Sequence, residues 1–311
     1  MPNQRALLLD SASLYFRAFF GVPEVIGPSG VPTNAVRGFL DMIASLVERG
    51  RPTHLVACWD NDWRPAFRVE AIPSYKAHRV AEPGDEALDG ETVPDALSVQ
   101  VPIIIDALAA LGIARIGIDG HEADDVIGTL STSFRGRMPV DVVTGDRDLF
   151  QLVDDANAIR VLYTARGGVR SPDLVDQAFI AEKYGVDTGA AYADMAVLRG
   201  DTSDGLPGVA GIGEKTAAKL ITTYGTLASL RGAIDSGDPA IKGAQRARLE
   251  AATAYLDVAP RVVEVVRDAT VPEVDLAAPR SVADPTLMSR LAIEHGLTSS
   301  FDRVVNALQI G

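Results

Sequence analysis

Four short apolar runs in the first half of the chain each lead to an acidic residue: ALLLD to Asp10, HLVACWD to Asp60, the run 113–118 to Asp119, and VDVVTGD to Asp146. A fifth run, 159–163, follows. Between them lie segments with helical spacing, 39–47 (FLDMIASLV) and 103–111, the latter stopping at Gly112. The runs are continuously apolar, without the alternation of a strand that has one wet face. Strands buried on both faces belong to a parallel sheet covered by helices on each side. The expected fold class is therefore α/β, with a central, mainly parallel sheet. Such sheets bind their ligands beyond the carboxyl ends of the strands. Acids far apart in sequence should converge there.

The segment from His121 to Asp148 concentrates the chemistry. Glu122, Asp124 and Asp125 fall at a helix start, and Asp146 and Asp148 just past a strand. Helix capping explains acids in a first turn, because free N–H groups and the macrodipole attract anions. It does not explain a second acidic group on the next strand. Like charges raise one another's pKa unless a cation compensates. With one cysteine, Cys58, and four histidines, a Cys/His zinc site lacks ligands, so the cation should be a hard one held by oxygen.

With 311 residues, 47% of them hydrophobic, the chain has material for one large or two modest ordered domains. No apolar stretch approaches the length of a membrane span, and none at the N-terminus suits a signal peptide. A single cysteine suits a reducing cytoplasm. The net charge of −13 runs against the basic footprint expected of a nucleic-acid protein. If nine acids face metal ions, however, about −4 remains for the rest of the surface, which leaves room for a local basic face.

Two further stretches stand out. Residues 63–79 (WRPAFRVEAIPSYKAHR) interleave Arg64, Arg68, Lys76, His78 and Arg79 with Trp63, Phe67 and Tyr75, a mixture suited to phosphate contact and base stacking. Residues 82–94 then turn acidic and rich in turn formers. Later, 205–220 (GLPGVAGIGEKTAAKL) places a glycine turn before a helix over 214–223, a ready anion site. Residues 227–311 read as helices and loops, one helix covering 244–255, without a functional signal.

In combination and order, LLLDSASLYFRAF, CWD, YKAHR, HEADDVIGTL, VVTGDRDLFQLV and LRGDTSDGLPGVAGIGEKTA resemble the 5′-nuclease family: flap endonucleases and the 5′→3′ exonuclease domain of bacterial DNA polymerase I. The resemblance runs from residue 7 to about 230. It implies a PIN-like nuclease core over 1–195 with a helical arch at 61–95. A second region, 196–311, would carry a helix-hairpin-helix at 205–225 and C-terminal helices. It implies two or more divalent ions, Mg²⁺ or Mn²⁺. Asp10, Asp60, Glu122 and Asp124 would hold the first, and Asp146, Asp148 and Asp201 the second, with Asp125 and Asp204 completing the acidic set. Lys76 and Arg79 on the arch, and Arg17 after the first strand, would contact the scissile phosphate. Gly208, Val209, Gly211, Ile212, Gly213, Lys215, Thr216 and Lys219 would grip the duplex, with a potassium ion at the hairpin. The implied partner is DNA with a 5′ flap or 5′ end at a duplex junction, or an RNA–DNA hybrid, cut by hydrolysis during replication and repair. Asn61 and Asp62 depart from the basic residue the family often places after the second-strand acid. Two other classes fit parts of the pattern: a PIN-like metal-dependent ribonuclease and a catalytically weak DNA-binding protein.

Overall fold

The computed structural model describes residues 4–82, 87–88 and 90–310. Part of the acidic stretch expected over 82–94, namely 83–86 and 89, lies outside the described residues.

Six strands form the central sheet: β1 (Ala6–Asp10), β2 (His54–Trp59), β3 (Ala114–Gly117), β4 (Val140–Thr144), β5 (Ile159–Tyr163) and β6 (Asp173–Val175). Their spatial order is β3-β2-β1-β4-β5-β6. All neighbours are parallel except the β5–β6 pair. The first five strands were expected from sequence. The antiparallel edge strand β6 is new, its three residues too short to show a period. Strand order reverses between β1 and β4, and a crevice opens at their carboxyl ends, where ligands of open α/β sheets bind.

Side chains alternate across β1. Ala6 and Leu8 face one core layer; Leu7 and Leu9 face the other. The second layer lies under α1 (Ser11–Gly21), α2 (Asn34–Gly50) and α4 (Val101–Leu111). The first lies under α5 (Ala123–Ser133) and continues into α6 (Gly189–Arg199) and α7 (Glu214–Tyr224). Between β2 and α4 sits a short helix, α3 (Ala66–Ala71), followed by a 3₁₀ turn at Ala77–Arg79 and a two-residue hairpin pairing Leu88 with Glu91. The arch expected over 61–95 is thus a short helix, a turn and a two-residue hairpin among its described residues.

The single helix expected over 244–255 is broken. Gly243–Ala251 ends, and Thr253–Val258 starts afresh. The last two helices, α8 (Pro285–His295) and α9 (Thr298–Leu308), return to the helical layer that covers the sheet. Phe301 and Val304 of α9 enter the layer under α2, and Arg37 of α2 donates to Gly296 O at 2.8 Å. Arg303 pairs with Asp41. Along the way Ala278 N donates to Thr53 O at 2.9 Å, so the chain's final quarter spans both halves. No helix among the described residues is long and apolar enough to cross a membrane.

Candidate active site

The strand ends bring their acids to one cleft of about 430 Å³. Asp10, Asp60, Glu122, Asp124, Asp146 and Asp201 line it, together with Lys76 and Arg79. Asp10 ends β1 and caps α1, accepting from Ser13 N at 3.1 Å and from Thr144 Oγ1 at 2.6 Å. Asp60, just past β2, accepts from Ala123 N at 2.9 Å and so holds the start of α5. Asp146 accepts from Asp148 N at 2.9 Å. Capping therefore accounts for part of the local geometry, as the sequence allowed, without using up the cluster.

Burial pushes Asp10 up to about 7; the Thr144 hydroxyl opposes the shift, and the charge of Asp60 adds to it. Burial likewise raises Asp60, and raises Asp124 well above the ordinary carboxylate range, the charges of Asp10 and Asp146 adding to it. Asp148 and Asp204 are not part of the cleft wall, but burial raises both, and the charge of Asp146 pushes each further. Asp201 goes the other way: hydrogen bonds from Ser203 outweigh its burial and hold it below the usual range. A group of acids that burial and mutual repulsion keep high in pKa is short of positive charge. Their oxygens are the donors that hard divalent ions take. Among the described residues no three Asp, Glu, His or Cys side chains are drawn around a common point as a closed metal cage. By chemistry the donor set fits divalent ions; by geometry it is an open cleft.

Asp125 departs from the expected ligand set. It is fully buried, and both oxygens are engaged, by Arg68 at 2.6 and 2.9 Å and by Val266 N at 2.8 Å. Its carboxylate serves the fold and does not reach the cleft. Glu122 does reach it, but Arg68, Lys76 and the Tyr75 hydroxyl (2.7 Å) already hold its oxygens.

The cation-and-aromatic stretch resolves into two sets. Arg68, only 2% exposed, and Tyr75 at 4% turn inward, and Arg64 donates to the carbonyls of Tyr75 and Pro73. These residues brace the cleft from behind; they are not a stacking surface for nucleic acid. Lys76 and Arg79 remain on the cleft wall, and Arg79 pairs with Asp204 at 2.6 Å. Lys76 N donates to Asp204 O at 2.9 Å, and Ser74 Oγ to Gly205 O at 2.8 Å. At Gly205, with φ +72, an added Cβ would lie 2.1 Å from Ser74 O, so only glycine permits this approach.

Arg17 is not at the cleft. It donates to Ala165 O at 3.2 Å and lines a separate shallow groove with Phe20 and Met42. Its neighbour Phe16 lines the cleft instead, with Trp63, Tyr163, Arg147 and Glu91. Trp63 belongs to the stretch read as suited to base stacking; sequence reasoning missed the other four. Arg147 was legible, lying between two acids in TGDRD. Asn61 and Asp62 take local roles. Asn61 donates to Asp119 Oδ1 at 2.8 Å over Gly117, and Asp62 accepts from Arg64 N at 3.1 Å.

The glycine turn leads into α7 as expected. Gly208 and Gly211 have positive φ, and Gly213 is the N-cap of α7. Val209 and Ile212 differ from expectation: at 2% and 4% exposure their side chains anchor the turn in the core, leaving only main chain for a partner. Thr216 is half-buried, its N–H donating to Gly213 O. Lys215 and Lys219 are exposed on a shallow groove that Lys183 joins, a third cation that sequence spacing hid.

Residues 5–185 match the family model for the 5′-3′ exonuclease N-terminal resolvase-like domain, and 188–283 that for the 5′-3′ exonuclease C-terminal SAM fold. A 5′-3′ exonuclease of Streptomyces coelicolor is 56% identical over 303 residues, covering 97% of this chain and 99% of that protein. One from Mycobacterium tuberculosis is 50% identical over 313 residues, covering 97% of each. The solved bacteriophage T5 D15 flap endonuclease, in a pseudo-enzyme-product complex with DNA and metal ions, shares the fold with a TM-score of 0.65 at 18% identity, covering 98% of this chain and 100% of that one. With both domain models matched in order and close relatives aligned along nearly their whole length, the chain belongs to the 5′-3′ exonuclease family.

Proposed function

We propose that this chain is a structure-specific 5′ nuclease that hydrolyses DNA at 5′ flaps and 5′ ends with divalent metal ions, in replication and repair. The observation that carries this reading is the gathering of strand-end acids with Lys76 and Arg79 in one cleft. Asp10, Asp60 and Asp124, with Glu122 where its present partners release it, would hold one ion. Asp146, Asp148 and Asp201, with Asp204 close by, would hold another. Bound there, such ions activate water and stabilise the departing oxygen. Asp125 would act at one remove, by fixing Arg68. The buried Cys58 agrees with a reducing cytoplasm.

Lys76 and Arg79 supply N–H donors to the scissile phosphate, where developing negative charge draws them from Glu122 and Asp204. Phe16, Trp63 and Tyr163 give the wall apolar faces on which bases can stack. Main chain at Gly208, Gly211 and Gly213, with Lys183, Lys215 and Lys219, holds duplex phosphates without reading sequence. A potassium ion on main-chain carbonyls of 208–213 belongs to the same reading. Because the Lys76 and Ser74 segment is hydrogen-bonded to the loop that opens the hairpin, duplex grip and cleavage sit on one connected wall.

The test is cleavage of a labelled 5′-flap DNA beside single-stranded RNA of equal length, with Mn²⁺, with Mg²⁺ and with EDTA. Metal-dependent cutting near the junction, leaving a 5′-phosphate, is expected. Preferential cutting of the RNA would favour the ribonuclease alternative and overturn this reading.

A further inference from the structure

A second cavity, of about 580 Å³, lies at the opposite end of the sheet. Four arginines line it: Arg5, Arg49, Arg51 and Arg160, with Asp141 as the one acid. In a chain of net charge −13, such a gathering of cations is out of character and sits far from the acidic strand ends.

Its construction is specific. Asp141, the second residue of β4, lies between Leu7 of β1 and Arg160 of β5. It is 3% exposed, on the face that packs under α2. A carboxylate there is costly unless paired, and it accepts from Arg5 and Arg160 at 2.6 Å each. Those two guanidiniums are thus held in place while keeping further N–H donors, since each carries five. Arg51 follows α2 in a left-handed conformation, φ 42. That position usually falls to glycine, and here Gly50 stands one residue too early for it. A bulky cation accepted at such a position is a reason to look for what it contacts. Arg49, on the last turn of α2, leans across to Arg170 O.

The floor is apolar. Leu46 comes from α2, Leu162 from β5, and Leu174, 52% exposed, from the edge strand β6. No aromatic ring lines the cavity, so a nucleobase would find only guanidinium planes to stack on. A duplex backbone has no use for an aliphatic floor. Arginine forks match carboxylate and phosphate alike in bidentate fashion; it is the aliphatic floor, suited to one large apolar side chain set among carboxylates, that decides for a peptide.

We propose that this cavity is a docking site for an acidic peptide segment of a partner protein, carrying one large apolar residue between carboxylates. The site is independent of the catalytic reading, because it uses none of the cleft residues.

The experiment is fluorescence anisotropy of the full chain with a labelled peptide Asp-Asp-Leu-Asp-Asp, beside the same peptide with lysine in place of aspartate. Saturable binding of the acidic peptide alone is expected. The double variant Arg49→Ala with Arg51→Ala should weaken it by on the order of tenfold or more, as should Leu174→Asp. Both variants should cut flap DNA at the unaltered rate, since neither touches the cleft, and that activity also reports their folding. Failure of the acidic peptide to bind, or equal binding by the variants, would overturn the proposal. Displacement of the peptide by dAMP or duplex DNA at lower concentration than by unlabelled peptide would reassign the arginines to nucleic acid and overturn it as well.

Discussion

Arg68 meets Asp125 through two side-by-side hydrogen bonds, Nη1 to Oδ2 at 2.9 Å and Nη2 to Oδ1 at 2.6 Å, with both side chains closed to solvent. The same guanidinium reaches Glu122, and its Nε donates to Val262 O at 3.0 Å. One side chain therefore ties α3 and the start of α5 to the segment after residue 261. Removing one partner of a buried pair strands the other charge, at about 3–5 kcal/mol. Arg68→Ala should lower stability by that order in urea unfolding, and Asp125→Asn by a similar order. Arg68→Lys should recover only part of it, lacking the fork. An Arg68→Ala protein of wild-type stability would show that the pair is not structural.

The cleft acids should behave in the opposite sense. Asp124→Asn or Asp146→Asn removes repulsion from a crowded pocket, so metal-free stability should hold or rise. Cleavage should nevertheless fall by on the order of a thousandfold, with DNA binding largely kept. Rates in Mn²⁺ beside anisotropy in EDTA separate the two effects.

Lys76→Ala and Arg79→Ala should slow single-turnover cleavage more than they weaken flap binding, since their donors gain most as charge develops on phosphate. A loss confined to affinity would remove both from the reacting centre.

Proton linkage gives a stability signature. Asp10 has its pKa raised from 3.8 to about 7 by burial in the folded protein. The folded state therefore binds more protons than the unfolded one between those values, and this group's contribution falls as pH rises through the window. In EDTA, wild type should lose stability relative to Asp10→Asn between pH 4 and 7, by on the order of a few kcal/mol. Adding Mg²⁺ at pH 7 should restore it to wild type more than to the variant. A difference between the two proteins that does not change with pH would remove Asp10 as the source.

Substituting Lys183, Lys215 or Lys219 by alanine should reduce affinity evenly across duplex sequences and flatten the salt dependence, each by roughly one unit of slope. The three belong to one groove, so Lys183 should match the other two in size. Titration of binding against KCl concentration measures this.

The sheet was legible because doubly buried strands leave continuous apolar runs, and the acids because they end those runs. What could not be read was direction. In 63–79 the same interleaving of cations and aromatics describes a surface that meets nucleic acid or a brace that turns inward. Arg68 turns inward only because Glu122 and Asp125, more than fifty residues later, await it. Val209 and Ile212 sit in a motif that predicts contact with DNA, yet their apolar side chains follow the ordinary rule and go to the core. Arg17 matched by its place after β1, but helix α1 carries it past the cleft while Phe16 stays. Helix α9 is clearly amphipathic, but nothing local announces that its apolar face packs on α2, or that α8 packs on α4.

That return of α8 and α9 sets a condition on how the protein folds. The bonds from Arg37 to Gly296 and from Arg303 to Asp41 join positions 259 and 262 residues apart. Contacts of such long range are late and slow to form, because loop-closure entropy is spent before they repay it. Helix α2 completes its packing only when the end of the chain arrives. Calorimetry of the metal-free chain should accordingly record one cooperative melting event, the nuclease half and the hairpin half held by the same closing strap.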